Sequence, residues 1–539
     1  MIHSSDKTSE PYSDTTAPVH SQFTPPGTPP FRFGPLLAIL SGLLLWLAHP
    51  LAGLWPLAWV GLAPLIYAIQ QSPSTRRAAG LGYLFGWAYL APTWYWTGLT
   101  IVGWTGSQIG WVALFALTLL AALFYAAWAA LAWRLTQSVQ GAWRIVSIAA
   151  AWVLMEWLRS VGSLSVPWAQ ISYTQYKALP LIQISELTGA FGVSFLLVFI
   201  NVSIIEWWRH RAEPLSRRWL LYSAGLIGAT CLYGYVRMAQ IPHGKTINVA
   251  MMQGNFNYND RFGIYQQKLE VYDSLTRQAY LGSNPKPDLY VWAETSAPGD
   301  AFHDAASREA MQRLADRYNA AIFTGSLIGE DGAEYNSALL FTPGSRLPLR
   351  YDKQGVVPFG EYIPFRSLIP ESIQKQFQFF ETDLSPGKTL APMHFETSSG
   401  TQVSLGPFIC YESVYPHYTR TMTARGANLL VTPSHDTWFQ SDAASEQHLA
   451  IVVFRAIENR RDVARSTTDG ITAAIDATGR ILERSKVRAA VFLVHPLQLR
   501  NLITLYTRFG DWFVGLCALL IVAALYRSYI LKTPKSVSG

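Results

Sequence analysis

Long apolar runs constrain this chain more than any other feature, because about 20 consecutive apolar residues are enough to cross a bilayer as a helix. Seven such runs lie in the first 240 residues, and an eighth, Asp511–Ile530, lies near the end. The first and fifth are short for a span and could be core helices of a large soluble protein, but seven runs so close together favour a membrane domain. The seven are Pro35–Ala48, Leu54–Ile69, Ala79–Leu99, Gly110–Trp133, Ile145–Leu158, Gln183–Trp208 and Trp219–Val236.

The composition agrees with a membrane protein and argues against a nucleic-acid partner. Half of the residues are apolar, 13% are aromatic and only 14% are charged, which is rich in apolar residues for a soluble chain. The net charge of +7 comes from scattered basic residues, with no Lys/Arg block that interleaves with aromatic residues. We interpret the positive charge as a signal of membrane topology.

The basic residues alternate between loops, as they do when cytoplasmic loops collect Lys and Arg. The loops around His49–Pro50 and Thr100–Gln108 carry neither, and the loop Arg159–Pro180 carries only Arg159 and Lys177. With seven spans and a cytoplasmic N-terminus, the residues after about Arg237 are predicted to lie on the outer face. The loops assigned to the inside contain Arg76 and Arg77, then Arg134 and Arg144, then Arg209, Arg211, Arg217 and Arg218.

The chain divides into five predicted regions. Residues 1–34 are rich in Ser, Thr and Pro and predict a disordered tail, not a cleavable signal peptide. Residues 35–240 form the seven-span domain, and residues 245–497 alternate short β-rich runs with helical patterns, which is typical of an α/β domain. Residues 505–531 give a C-terminal transmembrane helix, and residues 532–539 a basic cytoplasmic tail.

A single cysteine stands in the predicted exported domain. Cys231 and Cys517 lie in the seventh and eighth apolar runs, so Cys410 has no disulfide partner there. It follows the apolar residues Phe408 and Ile409 and precedes a polar turn, a setting that can expose a nucleophile beside backbone N–H donors. A free thiol on an oxidising face is a liability unless its chemistry is used, although a buried structural cysteine is the alternative.

Two other segments carry the groups that a thiol nucleophile needs. The segment PDLYVWAETSAPGD places Glu294 at the end of a strand, and YDKQGVVPFGEYIP carries Lys353 and Glu361. A carboxylate can take the thiol proton, and an ammonium can stabilise an oxyanion. Each of these residues alone is typical of a solvated surface, but their order along the chain is informative.

Glu, Lys and Cys in that order, in the settings WAET, YDKxxxVPFGEY and ICYE, resemble the nitrilase superfamily, whose domain is an αββα sandwich. With seven preceding spans and one following, the chain apart from its N-terminal tail resembles the apolipoprotein N-acyltransferases. The segments SHDTWF, EQHL and RSTTDGITAAID fit the same family. Two residues depart from the family pattern: Ala293 replaces the usual proline before the glutamate, and Gln440 replaces the usual glycine after Trp438–Phe439.

The resemblance implies a role for each matching residue. Glu294 would be the general base, Lys353 the cation that stabilises the tetrahedral intermediate, and Cys410 the acylated nucleophile. Trp438 would lie near the lipid entrance. Three further residues would support the site, namely Glu361, Tyr411 and Glu412.

The implied reaction is ping-pong acyl transfer in the inner membrane of a bacterium, on its periplasmic side. A phospholipid would acylate Cys410 and leave as a lysolipid, and the N-terminal amine of a diacylated apolipoprotein would then attack the thioester. Water must be excluded from this intermediate, and the aromatic segment Trp94–Gly106 could form part of the floor that excludes it, or an ordinary interfacial belt.

Neither a metal nor an organic cofactor is predicted, because the histidines form no HExxH or Cys/His cluster and phosphate-binding loops are absent. A membrane-tethered amidase would use the same triad with water as the acceptor. A transporter would explain the spans but not the triad. The fold class predicted is therefore a polytopic helical bundle of about eight spans with an α/β, nitrilase-like αββα domain.

Overall fold

The computed structural model describes residues 31–162, 165–257, 264–374 and 383–532. The predictions for residues 1–30 and 533–539 lie outside these ranges. Residues 34–240 form a helix bundle, and residues 245–499 form an α/β domain that is followed by two more helices. The helices of the bundle are α1 Gly34–Ala48, α2 Ala63–Gln70, α3 Thr75–Thr93, α4 Tyr95–Thr105, α5 Ile109–Ser138, α6 Ala142–Arg159, α7 Leu179–Ile182, α8 Ser185–Thr188, α9 Ala190–Arg209 and α10 Arg218–Gln240.

Four described helices are long and apolar enough to cross a membrane. They are α5, α9, the segment Leu215–Gln240 that contains α10, and Trp512–Ile530 near the C-terminus. The segments Gly34–Ala48 and Trp55–Gln70 are apolar but shorter. The structure therefore supports a membrane-spanning bundle, while the count of eight spans stays a prediction.

Three of the predicted runs are interrupted where the sequence places a proline or a glycine. The run Ala79–Leu99 ends as α3 just after Pro92 and restarts as α4, because proline has no N–H to donate inside a helix. The run Leu54–Ile69 divides into a short 3₁₀ helix and α2, which has Pro64 in its first turn. The run Gln183–Trp208 divides before α9 at Gly189, whose φ is +66°.

The α/β domain contains two six-stranded sheets that pack face to face. One has the order β12-β1-β2-β3-β4-β5, and the other β11-β10-β9-β8-β7-β6. The strands are β1 Lys245–Gln253, β2 Leu289–Val291, β3 Ala321–Glu330, β4 Ala333–Phe341, β5 Leu349–Asp352, β6 Met393–Glu396, β7 Gln402–Pro407, β8 Leu429–Ser434, β9 Val463–Thr467, β10 Ala473–Ile475, β11 Ile481–Arg484 and β12 Val491–Leu499.

Helices cover the outer faces of the two sheets, which confirms the predicted sandwich. Helices α11 and α12 pack on the first sheet, and α14 packs on β7 of the second with α15 beside it. The remaining helices of the chain are α11 Tyr265–Gly282, α12 Ala305–Tyr318, α13 Glu371–Gln374, α14 Pro416–Ala424, α15 Asp442–Asn459, α16 Leu505–Phe509 and α17 Trp512–Lys532.

Helix α15 lies between the sandwich and the bundle. Every residue from Gln447 to Asn459 is buried, so this helix has no solvent-facing stripe. It contacts α8 of the bundle and the 3₁₀ helix that begins at Cys410. A direct structural path therefore joins the bundle to the predicted nucleophile.

Candidate active site

Turns that follow three strand ends carry the predicted reactive side chains. Glu294 follows β2, Lys353 follows β5 and Cys410 follows β7. Cys410 opens the 3₁₀ helix Cys410–Val414 with a φ of +49°, a backbone conformation that residues other than glycine rarely adopt. Strained backbone conformations of this kind are typical of functional turns, and here the strained residue is the cysteine itself.

Glu294, Lys353 and Glu361 form one buried ionic cluster. The Lys353 Nζ donates to Glu361 Oε1 at 2.7 Å and to Glu294 Oε1 at 3.3 Å. Asn336 Nδ2 donates to the same two carboxylate oxygens, at 2.6 Å for Glu294 and 3.2 Å for Glu361. The backbone N–H of His435 holds the other Glu294 oxygen at 2.8 Å. The position of the predicted base is thus fixed from three sides.

The charges of this cluster act on the thiol. Burial raises the pKa of Cys410, and the Glu294 carboxylate raises it further while the Lys353 ammonium acts in the opposite sense. Burial also raises the pKa of Glu294, against the pull of Lys353. Burial alone would lower the pKa of Lys353, but Glu294 and Glu361 raise it above its ordinary value. The resting site therefore holds a neutral thiol beside a charged lysine, so a base must remove the thiol proton.

Glu412 is completely buried and fastens the cysteine turn to the lysine segment. Its Oε2 accepts the backbone N–H of Ile409 at 2.6 Å. Its Oε1 accepts the hydroxyl of Tyr351 and the backbone N–H of Gln354, both at 2.7 Å, and that of Gly355 at 3.1 Å. The structure thus gives Glu412 a positioning contact with both halves of the site.

A second buried network, which the sequence did not predict, lies behind Cys410. His448 Nε2 lies 3.2 Å from the carbonyl oxygen of Cys410 and 2.6 Å from Ser413 Oγ. Arg465 Nη2 contacts His448 Nδ1 at 3.1 Å and Asp436 Oδ2 at 2.6 Å. His448 Nδ1 also lies 3.2 Å from Asp436 Oδ1, so a carboxylate and a guanidinium both contact this nitrogen while Nε2 faces Cys410 in the neutral or the charged ring. Burial and Arg465 lower the pKa of His448, which favours the neutral form.

The predicted lipid-side residue Trp438 meets the bundle. Its ring lies 4.9 Å from that of Trp104 on α4, edge to face, and Phe439 lies 5.0 Å from Trp96. The Tyr95 hydroxyl lies 2.8 Å from Ser441 Oγ. The aromatic segment Trp94–Gly106 therefore packs against the loop after β8, which is the contact that a floor for the site requires.

The two departures from the family pattern have local structural settings. Gln440 adopts a φ of +47°, the left-handed region where glycine is favoured, and its side chain packs against Gly103 of α4. Any Cβ at Gly103 would clash with the Gln440 amide. Ala293 is completely buried, and its carbonyl oxygen accepts the backbone N–H of Gly325 at 3.4 Å.

Tyr411 lies at the edge of the site, where its ring is 5.5 Å from that of Tyr415. Asn336, which lies within β4, was not predicted as a site residue from the sequence, and no role was predicted for His448, Asp436 and Arg465. These last three occur within the quoted segments SHDTWF, EQHL and RSTTDGITAAID, so the signal was their association with the family. Among the described residues, no group of three or more His, Cys, Asp or Glu side chains could hold a metal ion.

Comparisons with known proteins cover both parts of the chain. Residues 41–203 match the family model for the apolipoprotein N-acyltransferase N-terminal domain, and residues 248–500 match the model for carbon-nitrogen hydrolases. An amidase from Nesterenkonia is a solved structure with a similar fold, at 19% identity and a TM-score of 0.37, covering 51% of this chain and 97% of the amidase.

Curated relatives extend over nearly the whole length. An apolipoprotein N-acyltransferase from Geobacter metallireducens is 32% identical over 91% of this chain and 94% of its own. One from Azotobacter vinelandii is 31% identical over 94% of this chain and 96% of its own. With both family models matched in order and with relatives of this identity along its length, the chain belongs to the apolipoprotein N-acyltransferase family.

Proposed function

We propose that Cys410 carries the acyl group as a thioester between a membrane phospholipid and the N-terminal amine of a diacylated apolipoprotein. The observation that carries this proposal is the buried contact of Lys353 with both Glu294 and Glu361, beside a thiol on a strained turn. Thioester chemistry needs a base, a cation and a nucleophile together in one buried site.

In the first half-reaction, Glu294 takes the proton of the Cys410 thiol, and the sulfur attacks the ester carbonyl of the phospholipid. The Lys353 ammonium stabilises the oxyanion of the tetrahedral intermediate. When the ester C–O bond breaks, Glu294 returns the proton to the leaving alkoxide, which departs as a lysolipid. In the second, Glu294 takes a proton from the attacking amine, the C–S bond breaks, and Cys410 recovers its proton as the amide forms.

The supporting residues have separate duties in this proposal. Glu361 accepts a hydrogen bond from Lys353, balances its charge and holds the ammonium group beside Glu294. Glu412 holds the cysteine turn, and Tyr411 contributes a backbone N–H to the oxyanion. Trp438, packed on Trp104, lies where an acyl chain would enter from the bilayer.

We further propose an inner-membrane protein with seven spans before the α/β domain and one after it, with that domain in the periplasm. For the bundle and the domain we propose the same boundaries that the sequence predicts. In support, loops that carry basic residues share one end of the bundle: Arg144 pairs with Glu206 at 3.0 Å, and Arg209 donates to Gln70 at 2.9 Å. Arg527 of α17 lies over the ring of Trp143, near that same end.

The decisive experiment is the intact mass of the purified protein after incubation with phospholipid. We expect a fatty-acyl adduct on Cys410 that disappears when a diacylated lipopeptide is added. An acylated Cys410→Ala variant would refute the assignment of the nucleophile. Hydrolysis of a small amide without lipid, and without any adduct from phospholipid, would instead favour a membrane-tethered amidase.

A further inference from the structure

A cavity of about 710 Å³ lies between the outer end of α6 and the α/β domain. The bundle contributes Val161 and Ser165, and the α/β domain contributes Gln354, Tyr415 and Tyr418. Its volume is within the range of sites that bind small molecules or short peptide segments. Glu294, Lys353 and Cys410 are not among its lining residues, so the cavity is separate from the ionic cluster.

The cavity nevertheless adjoins the reactive turn. The Tyr415 ring that lines it lies against Tyr411, the residue after Cys410. The backbone N–H groups of Gln354 and Gly355, which also line it, hold Glu412 two residues beyond Cys410. A ligand in the cavity would therefore contact Tyr415, Gln354 and Gly355, each of which contacts the turn that carries Cys410, and would not contact Trp438.

The polar groups of the lining favour an uncharged ligand. The Gln354 side-chain Nε2 is buried and has no hydrogen-bond partner among the described residues, which leaves a donor to be satisfied. Tyr415 and Ser165 join the two domains across the cavity through their hydroxyls, 3.0 Å apart. The one carboxylate in the lining, Asp383, is paired with Arg366. His417 also lines the cavity, but burial and then Arg420 lower its pKa, which favours the neutral ring. Neutral polar groups and tyrosine rings suit a polypeptide backbone better than a phosphate, which would require charged basic residues.

We infer that this cavity binds the polypeptide segment that follows the lipidated cysteine of the acceptor. The inference rests on the proposed reaction, in which the acceptor's acyl chains stay in the bilayer while its polypeptide must leave toward water. The cavity lies at the junction where such a segment would pass. Recognition through the backbone would also allow acceptors of different sequences to react at one site.

The test compares two acceptors with the same diacylglyceryl-cysteine, one ending as the cysteine amide and one continuing for ten residues. For the unaltered protein we expect a KM at least fivefold lower for the longer acceptor. Val161→Trp, which fills the cavity mouth, and Gln354→Leu, which removes the unsatisfied donor, should each abolish that difference. Active sites are counted in every variant by the acyl-enzyme formed from phospholipid, so loss of folding is recognised.

Leu158→Trp is the matched control, because Leu158 is 44% exposed and Val161 is 45% exposed on the same part of the chain, but only Val161 lines the cavity. This control should keep the preference for the longer acceptor. A fivefold preference that survives both cavity variants, or equal KM values in the unaltered protein, would overturn the inference.

A binding measurement separates this inference from the proposed reaction. A ten-residue lipopeptide with a photoreactive benzoylphenylalanine two residues after the cysteine should crosslink to the segments that line the cavity, which are residues 160–162, 165, 354–358, 362, 383–386 and 415–418. Crosslinks confined to other segments would refute the cavity even if turnover is normal. If no acyl-enzyme ever forms but the crosslinks fall in these segments, the thioester proposal fails and the peptide site stands.

Discussion

The division of labour between Cys410 and Glu294 gives the sharpest test at the scale of single residues. Cys410→Ser should form no acyl-enzyme, since a serine alkoxide is far harder to generate than a thiolate. Glu294→Gln keeps the thiol but loses the base, so acylation should be slow at neutral pH. Burial still raises the pKa of the Cys410 thiol in this variant, so its rate of acylation should rise with pH as the thiol ionises on its own.

Acyl-enzyme formation measured by intact mass from pH 6 to 10 checks this prediction. The unaltered protein should show a much flatter profile over the same range, since Glu294 supplies the base throughout. Acylation of Glu294→Gln at the normal rate at pH 7 would remove Glu294 from the base role.

Lys353 should matter in both half-reactions. Loss of one oxyanion stabiliser costs roughly 10²–10³ in rate, so Lys353→Met should slow acylation and discharge by about that factor each. The variant also removes the cation that lowers the pKa of Glu294, so burial should raise the pKa of that carboxyl further. Single-turnover rates of the two steps measure this, with the exposed Lys286→Met as control. Discharge at the normal rate would restrict Lys353 to the first step.

Glu294, Lys353 and Cys410, whose catalytic roles stay predictions, were singled out from the sequence because each stands in a short, distinctive segment. Asn336 and the network of His448 with Asp436 and Arg465 were not, because their importance lies in contacts between segments that are far apart in the chain. The positive φ of Cys410 was not predictable either, since a residue other than glycine rarely adopts it and no local pattern signals it here. Local sequence patterns therefore identify the candidate residues, and tertiary contacts determine how the side chains of those residues are oriented.

At the scale of elements, the short helix α8 is anchored to the α/β domain through a buried ion pair. Arg460 donates to Glu186 at 2.8 Å and also to Gln183 and the carbonyl of Ala477. Removing one partner of a buried pair costs about 3–5 kcal/mol, so Arg460→Met should lower the apparent Tm in detergent markedly. Arg237→Met removes a second, more exposed partner of Glu186 and should lower it less. An equal Tm for the two variants would contradict this ranking.

Glu458 joins helix α15 to the start of α9 and should make the stability depend on pH. It accepts the backbone N–H of Ala190 at 3.1 Å and pairs with Arg455 at 2.8 Å. Burial raises its pKa to about 7, with Arg455 acting to lower it and Asp511 to raise it. A raised carboxyl pKa means that the folded state holds the proton more tightly than the unfolded state. The contribution of this group should therefore fall as pH rises from about 4.5 to 7.

Thermal unfolding from pH 5 to 8 measures this effect through the difference between the protein and Glu458→Gln. The unaltered protein should lose up to about 3 kcal/mol relative to the variant across that range. The variant Asp469→Asn provides the matched comparison, because burial also raises the pKa of Asp469 to about 7. A constant difference between the protein and Glu458→Gln would show that Glu458 does not titrate there.

The elements themselves were predicted with uneven success, for physical reasons. Strands such as β2 lie in the short β-rich runs of residues 245–497, because buried strands read as continuous apolar sequence. Two of the apolar runs are divided into separate helices at Pro92 and Gly189. The average hydrophobicity of a run does not detect such a break. Helix α15 is buried all around because two domains enclose it, and an amphipathic pattern cannot reveal that.

For the whole molecule, the central prediction is that the α/β domain faces the periplasm. Single cysteines placed at exposed positions such as Leu347 and Leu281 should react with a membrane-impermeant maleimide in intact cells. A cysteine at Arg211, in a basic loop, should react only after the membrane is opened. The background carries Cys231→Ala, Cys517→Ala and Cys410→Ala.

The protein with only Cys231 and Cys517 replaced should retain acyl transfer, because neither lies in the ionic cluster.

The opposite labelling pattern would place the domain in the cytoplasm. The sequence predicted this sidedness from arginine counts alone, but it could not indicate that α4 and α15 join the two domains.

The pairing of β1 with β12 has a consequence for the order in which the molecule is made. Gly244, just before β1, bonds to Gln498 of β12, 254 residues later. The β12 edge of the first strand is therefore covered only after nearly the entire α/β domain has been synthesised. Until then the nascent chain presents an unpaired strand beside the membrane, where mispairing is most damaging. Translocation that stalls before β12 should thus leave a domain that is exported but not closed, and such chains should be the preferred substrates of periplasmic proteases.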